Sequence, residues 1–271
     1  MNDPPTYPPL ASVADELLAS GHVWLFEAVR GEPFRFQLED TGVIRIGDAT
    51  RETTDSDDLP LRLHATVRHV REHFDRTALR RAVDDVATVT FHGIATCWDG
   101  VTADWPRLPP FLGLDVHDAT KEAYRPPDAA AAIYEELGLA AAPVVAQELR
   151  VRDFDPAGYD FPRATYADTP AAGVLVRRKG GGRARLDNPA VPDDPPVEPF
   201  EADVDAVLAA VDIDVRIARL TDEGEDSVEE IADRLLEACY REYHHRLAHS
   251  SCPVDSTTLR SALAQRVHRT L

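Results

Sequence analysis

Lysine is almost missing. Lys121 and Lys179 are the two lysines among 29 basic residues in a 271-residue chain, which carries 48 acidic residues and a formal net charge of −19. Cysteine is scarce as well. Cys97, Cys239 and Cys252 lie far apart with no Cys-x-x-Cys pair, which excludes a disulfide framework and a cysteine-rich zinc site. No apolar run approaches the roughly 18 residues of a membrane span. The first residues lack a basic region followed by an apolar one, so no signal peptide is expected. These absences predict a cytoplasmic protein with no membrane partner. The triple glycine 180–182 is not followed by Gly-Lys-Ser/Thr, and no Gly-x-Ser-x-Gly elbow occurs. A Walker-type phosphate loop and an α/β-hydrolase are therefore excluded. His245 and His249 are four apart, but no Glu stands beside the first and no third ligand is near, so they read as a polar helix face.

Abundant acid with scarce lysine is the composition of proteins adapted to high salt. It bears on solubility and not on fold. Nor does it exclude a nucleic-acid partner. At molar salt the screening length falls to about 3 Å, so close contacts would carry recognition whatever the global charge.

What is present is a basic island in this acidic chain. Residues 173–189 open as an apolar strand, pass through three glycines and resume as a second strand. They carry Arg177, Arg178, Lys179, Arg183 and Arg185, with no acid before Asp187. Such a hairpin suits an anionic ligand, and it also suits a turn with solvated charges.

Around the hairpin, residues 1–10 hold four prolines and read as an extended arm, followed by a short helix at 11–20. Strands are predicted at 22–29, 33–38 and 43–46, and a polar loop at 51–60. Helices follow at 61–74 and 75–82, then strands at 86–96 and 111–116. A helix at 127–137 opens on Pro127 and ends at Gly138, and a strand at 144–151 leads to the hairpin. Five prolines and three acids at 189–199 mark a break, read as a Pro-rich linker over 190–200. Beyond it the apolar period becomes helical at 204–211 and 227–248, with a last helix capped by Asp255 or Ser256. The predicted class is α+β: an arm and helix at 1–20, a domain of mixed, mostly antiparallel sheets with flanking helices at 21–189, and a small helical domain at 201–271.

The order of short motifs from about residue 22 to 189 resembles the RNA-ligase branch of the covalent nucleotidyltransferases, which includes ATP-dependent ligases and mRNA capping enzymes. Glu27-Ala28-Val29-Arg30-Gly31 followed by Phe34-Arg35-Phe36 resembles the first signature. Phe91-His92-Gly93-Ile94 resembles the third, and Phe111 to Val116 the segment after it. Ala172-Gly173-Val174-Leu175 resembles the fourth, and Arg183-Ala184-Arg185 the fifth. The resemblance implies a ligase-type nucleotidyltransferase fold. It also implies a nucleotide- or RNA-binding set of Glu27, Arg35, Phe111, Asp115, Arg177, Lys179, Arg183 and Arg185. Each has a plainer alternative: Phe111 as core, Arg35 in a cross-strand ion pair, Glu27 facing solvent, Asp115 as a satisfied strand-end acid.

The departures concern bond chemistry. In the family a lysine amine attacks the α-phosphate of ATP; here that position is Ala28, and the guanidinium of nearby Arg30 does not lose its proton. Ile94 and Ala172 replace glutamates that contact ribose and help hold the metal. The two lysines of the fifth motif are Arg183 and Arg185, which keep charge and fork onto phosphate well. Leu114 replaces an aromatic. Lys179 is the one lysine near the site, and precise in-line attack from its glycine turn is unfavourable. Three readings follow. The first is a non-catalytic module that binds a nucleotide or an RNA 5′-phosphate end, with no required cofactor and no metal. The second is an active RNA ligase with substitute residues, using ATP or AMP and a divalent cation. The third is a scaffold with a vestigial pocket, whose C-terminal helices bind a protein partner.

Overall fold

The computed structural model describes residues 1–100, 103–192, 200, 204–248 and 255–271. Most of the expected linker, residues 193–199, lies outside the described residues, as do His249 and Cys252. Two compact units emerge: Met1–Leu59 with Thr66–Asp194, and Pro60–Ala65 with Pro195–Leu271.

Among its described residues the first unit contains ten strands: β1 (His22–Glu27), β2 (Glu32–Leu38), β3 (Ile44–Gly47), β4 (Glu52–Thr53), β5 (Val89–Ala95), β6 (Phe111–Asp118), β7 (Ala123–Tyr124), β8 (Val144–Arg150), β9 (Gly173–Arg177) and β10 (Arg183–Asp187). They form a four-stranded sheet in the order β10-β9-β1-β8 and a six-stranded sheet in the order β4-β3-β2-β5-β6-β7. Every pairing within these sheets is antiparallel. The basic hairpin is the β9–β10 edge of the smaller sheet. The helices are α1 (Ala14–Leu17), α2 (His64–His73), α3 (Arg76–Ala82) and α4 (Pro127–Glu136).

β1 reads as a nearly continuous apolar run because both of its faces are covered. Val23 and Leu25 join Leu10, Leu17, Val174 and Val176 in one cluster. Trp24 and Phe26 join Leu114, Ala142 and Leu175 in another. In the larger sheet, Phe36 and Phe91 stack with ring centroids 4.8 Å apart, and Phe111 meets Phe36 edge-on at 5.6 Å. Tyr134 of α4 closes on Phe91 and Phe111, each at 5.8 Å. Such pairs add about 1 kcal/mol each beyond the area they bury.

A bulge sets the strand that matters most. His92 pairs with Asp115 and Gly93 with Gly113, so Leu114 is the extra residue on β6. The bulge turns both Leu114 and Asp115 toward the cleft between the sheets, where strict alternation would send one of them to the core. Tyr134 fastens this point. Its hydroxyl lies 2.8 Å from the His92 carbonyl and 3.0 Å from the Asp115 carbonyl, sharing one proton between them. Gly113 is obligatory beside it, since an added Cβ would sit 2.3 Å from the Tyr134 ring. Gly113→Ala is therefore expected to lower the unfolding free energy by about 2 kcal/mol through overpacking. Urea titration of both proteins checks this.

The second unit adds α5 (Val204–Ala210), α6 (Ile213–Asp222), α7 (Val228–Ala248) and α8 (Ser256–Thr270). Its core joins Ile217, Ile231, Leu235 and Cys239 to Leu259, Leu263 and Val267. Arg216 makes two parallel bonds to the buried Glu242 carboxylate, at 2.8 and 2.6 Å. Asp255 caps α8 through the Thr258 amide.

Four local expectations are revised. α6 occupies residues left unassigned, the polar loop at 51–60 contains the edge strand β4, and residues 86–88 form a 3-10 turn before β5 begins. The 3-10 turn Leu61–Leu63, expected as the start of a helix, groups with the C-terminal helices.

Candidate functional site

One row of side chains crosses the larger sheet. Arg35 of β2 pairs with His92 of β5, which pairs with Asp115 of β6. All three are buried, at 4%, 2% and 0% exposure. A polar row this deep is unexpected in a fold with so much apolar surface available, because each member needs a partner.

Asp115 has three. Arg177 donates to its Oδ1, Arg183 donates to the same oxygen at 2.7 Å, and the Tyr7 hydroxyl donates to Oδ2 at 2.6 Å. Arg177 also reaches the Leu114 carbonyl at 2.7 Å and lies 5.5 Å from the centre of the Phe26 ring. Arg183 sits 4.2 Å above Tyr124. Burial works to raise the Asp115 pKa, but the two guanidinium groups outweigh it and hold the carboxyl below its usual range. The Tyr7 hydroxyl is pushed well above the ordinary phenol range by burial and by the Asp115 charge, so it stays protonated and donates. Arg35 donates to the Asn2 carbonyl at 2.7 Å and approaches Asp3 and Glu52 at 3.2 Å.

His92 has no such partners. Neither ring nitrogen has a hydrogen-bond partner. Burial drives its pKa down to about 4 against the opposing pull of Asp115, so the ring is neutral near pH 7. It lines a cavity of about 960 Å³ together with Ala28, Ile94, Asp115, Ala172 and Arg185. That volume falls at the upper end of the range for small-molecule sites, about 300–1,000 Å³.

The cleft thus gathers the motif positions dispersed in the sequence. Not every expected binding residue joins them. Phe111 faces the aromatic core at 0% exposure and not the cleft, as its plainer alternative has it, so it does not join the binding set. The alternation of β6 before the bulge puts Phe111 on the helix-covered side. Glu27 lines a smaller neighbouring cavity, and its carboxylate accepts from the Thr165 amide at 3.0 Å and hydroxyl at 2.5 Å. Lys179 bonds Glu148 at 2.8 Å and Asp128 at 3.2 Å, and these bonds raise its pKa. Arg185 lines the cleft with its guanidinium 2.7 Å from Asp187. Among the described residues no lysine or cysteine lines the cavity, and no group of three or more His, Cys, Asp or Glu could hold a metal ion. Two contributors escaped the sequence reading. His92 was visible only as a motif letter, and Tyr7 lies in a Pro-rich arm with no periodic signal.

Solved structures of Naegleria gruberi RNA ligase are similar in fold to this chain. A variant with ATP and Mn aligns at a TM-score of 0.54 and 12% identity, covering 70% of this chain and 57% of that one. The ligase with PPi gives 0.53 and 13%, covering 70% and 56%. A variant with AMP and Mn gives 0.51 and 14%, covering 70% and 56%. The chain has an RNA-ligase-type nucleotidyltransferase fold. The resemblance drawn from five short motifs therefore holds at the level of fold. The aligned part spans little more than half the length of those ligase chains. No protein-family model matches the chain, and no curated protein matches it. Ala28 lines the same cleft as Asp115 and Arg185.

Proposed function

We propose that this chain is a non-catalytic, RNA-ligase-like module whose inter-sheet cleft binds a nucleotide or the 5′-phosphate end of RNA. The observation that carries the reading is Ala28 in a cleft that has Arg185 and a buried Arg35–His92–Asp115 row at hand but no lysine. Self-adenylation needs an amine that can lose its proton, attack the α-phosphorus and expel pyrophosphate. Lys179 is a poor substitute, because two carboxylates hold it in its charged form. The side chains of Ile94 and Ala172 offer no oxygen ligand for a hard cation. Arginines suit the retained task, since a guanidinium holds phosphate without giving up a proton.

Incubation with α-labelled ATP and Mg²⁺ or Mn²⁺ is expected to leave no covalent protein–AMP adduct on a denaturing gel run without acid treatment. An adduct removed by Lys179→Ala would instead establish the active ligase with substitute residues. A 5′-phosphorylated oligoribonucleotide is expected to bind more tightly than its 5′-hydroxyl counterpart. Arg185→Ala should reduce that preference by about tenfold, the loss of one charge-assisted contact. Equal binding of both ends by both proteins would favour the scaffold reading.

A further inference from the structure

The cleft of the first unit is already partly filled, by the chain's own arm. Asp3 to Pro8 contribute to the lining of the large cavity. The Tyr7 ring packs against the cluster of Trp24, Phe26, Leu114 and Leu175 while its hydroxyl sits on Asp115. Arg35 is taken up by the Asn2 carbonyl and the Asp3 carboxylate. The Asn2 amide lies 3.0 and 2.9 Å from the ring nitrogens of His117. The backbone of Arg185 donates to the Pro8 carbonyl at 2.8 Å, so the arm runs along the free edge of β10, with a parallel bridge from Pro9 to Arg185.

The geometry points to a displaceable strap: residues 2–8 are an internal occupant of the ligand seat, and an anionic nucleotide or RNA end binds by expelling them. This rests on the function proposed above and adds its control. Within the arm, a planar ring lies against an apolar wall with a donor on Asp115, and a carboxylate lies on Arg35. A ligand that joins a planar ring to a phosphate carries the same two features, so the two cannot be seated together.

The arm is built to stay attached and yet leave. None of residues 2 to 8, the strap itself, is buried as a whole residue, whereas Leu10 is 2% exposed and Leu17 3% exposed in the cluster behind β1. The strap is thus held at both ends, by Leu10 after it and by Met1 before it, whose side chain is 0% exposed. Pro4, Pro5, Pro8 and Pro9 restrict the free arm, which lowers the entropy lost on docking. Prolines also supply no main-chain donors, so few backbone bonds are broken on release. The Asp3 side chain is 98% exposed, so its attraction to Arg35 is screened and weak. An occupant seated about nine-tenths of the time lowers apparent ligand affinity about tenfold.

The test compares the full chain with a variant lacking residues 2–8, which retains Leu10 and α1, and with the full-length double variant Asp3→Ala, Tyr7→Ala. The probes are ATP, a 5′-phosphorylated oligoribonucleotide and a synthetic peptide of residues 2–9. Deletion is expected to tighten nucleotide or RNA binding about tenfold, the double variant about threefold. The peptide is expected to bind the deleted chain and to compete with the nucleotide. If the deleted chain binds the peptide but neither phosphate probe, the strap stands and the nucleotide reading fails. If the deleted chain does not bind the peptide, or binds the phosphate probes but no more tightly than the full chain does, the strap is overturned. Circular dichroism on each variant separates loss of binding from loss of fold.

Discussion

Asp115→Asn is expected to lower the unfolding free energy by about 4 kcal/mol, one of the two largest effects anticipated for a single substitution in this chain. Asparagine preserves shape and one carbonyl acceptor, so packing hardly changes. What changes is charge: Arg177 and Arg183, at 2% exposure and about one-tenth exposed, lose their common counter-ion. Removing one partner of a buried ion pair costs about 3–5 kcal/mol, because the remaining charge stays uncompensated in a poorly solvated place. Urea denaturation at pH 7 reads the difference. A control is the exposed pair Arg163–Asp168, with side chains at 74% and 104% exposure. Asp168→Asn is expected to change stability by less than about 1 kcal/mol. A further variant, Asp115→Asn with Arg177→Met, should recover part of the loss by removing one stranded charge. An Asp115→Asn midpoint within error of wild type would show that water or a shifted side chain neutralises the two arginines.

Much of the fold could be read before any coordinates. β1, β2, β6, β8 and the β9–β10 hairpin each carry an apolar run or alternation with glycine or proline beside it, β5 lies in a Val- and Thr-rich run, and α4 carries Pro127 at its start and Gly138 at its end. The elements that escaped were those with little period to read. β4 is two residues long and joins β3 at a sheet edge. α6 does have apolar residues at 213, 217 and 220, but it follows α5 after only two residues, Val211 and Asp212, the second with a left-handed φ of 47°. A turn that tight leaves no polar linker to announce a second helix. The 3-10 turn at 86–88 arises because Asp85 caps it through the Ala87 amide, a local bond that outweighs the β preference of Val and Thr.

The site was legible as a set of positions and not as a set of contacts. Motif order brought Ala28, Asp115 and Arg185 to one cleft without any knowledge of distance. The sequence could not show that the cations already have acids. Asp115 lies 62 residues from Arg177 and 68 from Arg183, and Tyr7 lies 108 from Asp115. Partners that far apart in the chain leave no local pattern. Leu114 illustrates a subtler gap. In the sequence it is only the replacement of an aromatic, yet its bulge is what lets Asp115 and Leu114 face the same way. A bulge is a property of a strand pair and is invisible in either strand alone.

His92 gives the second large effect, a loss of stability in mild acid. Its pKa in the fold is about 4, lowered by burial first and then by Arg35, His117 and Arg183, with Asp115 opposing. In the unfolded chain an imidazole titrates near 6.5. Between those values the unfolded state binds a proton that the folded state refuses, so stability rises with pH in this window and falls as pH drops from about 6.5 to about 4. The shift of some two and a half pH units corresponds to about 3 kcal/mol. Asp115 acts lower on the scale. Its depressed pKa gives stability that is present above the ordinary carboxyl range and is lost only as pH falls through the folded value. His117, also lowered by burial, adds a contribution of the same sign as that of His92. His92→Gln keeps a donor and an acceptor in the cleft but cannot titrate, so its unfolding free energy should decline much less between pH 7 and pH 4.5 than that of wild type. Parallel urea titrations across that range decide the matter, and identical slopes for the two proteins would remove His92 as the sensor. The same neutrality bears on binding. An uncharged imidazole placed between Arg35 and Asp115 adds no positive charge to the ligand-free cleft and offers one donor and one acceptor nitrogen to a ligand.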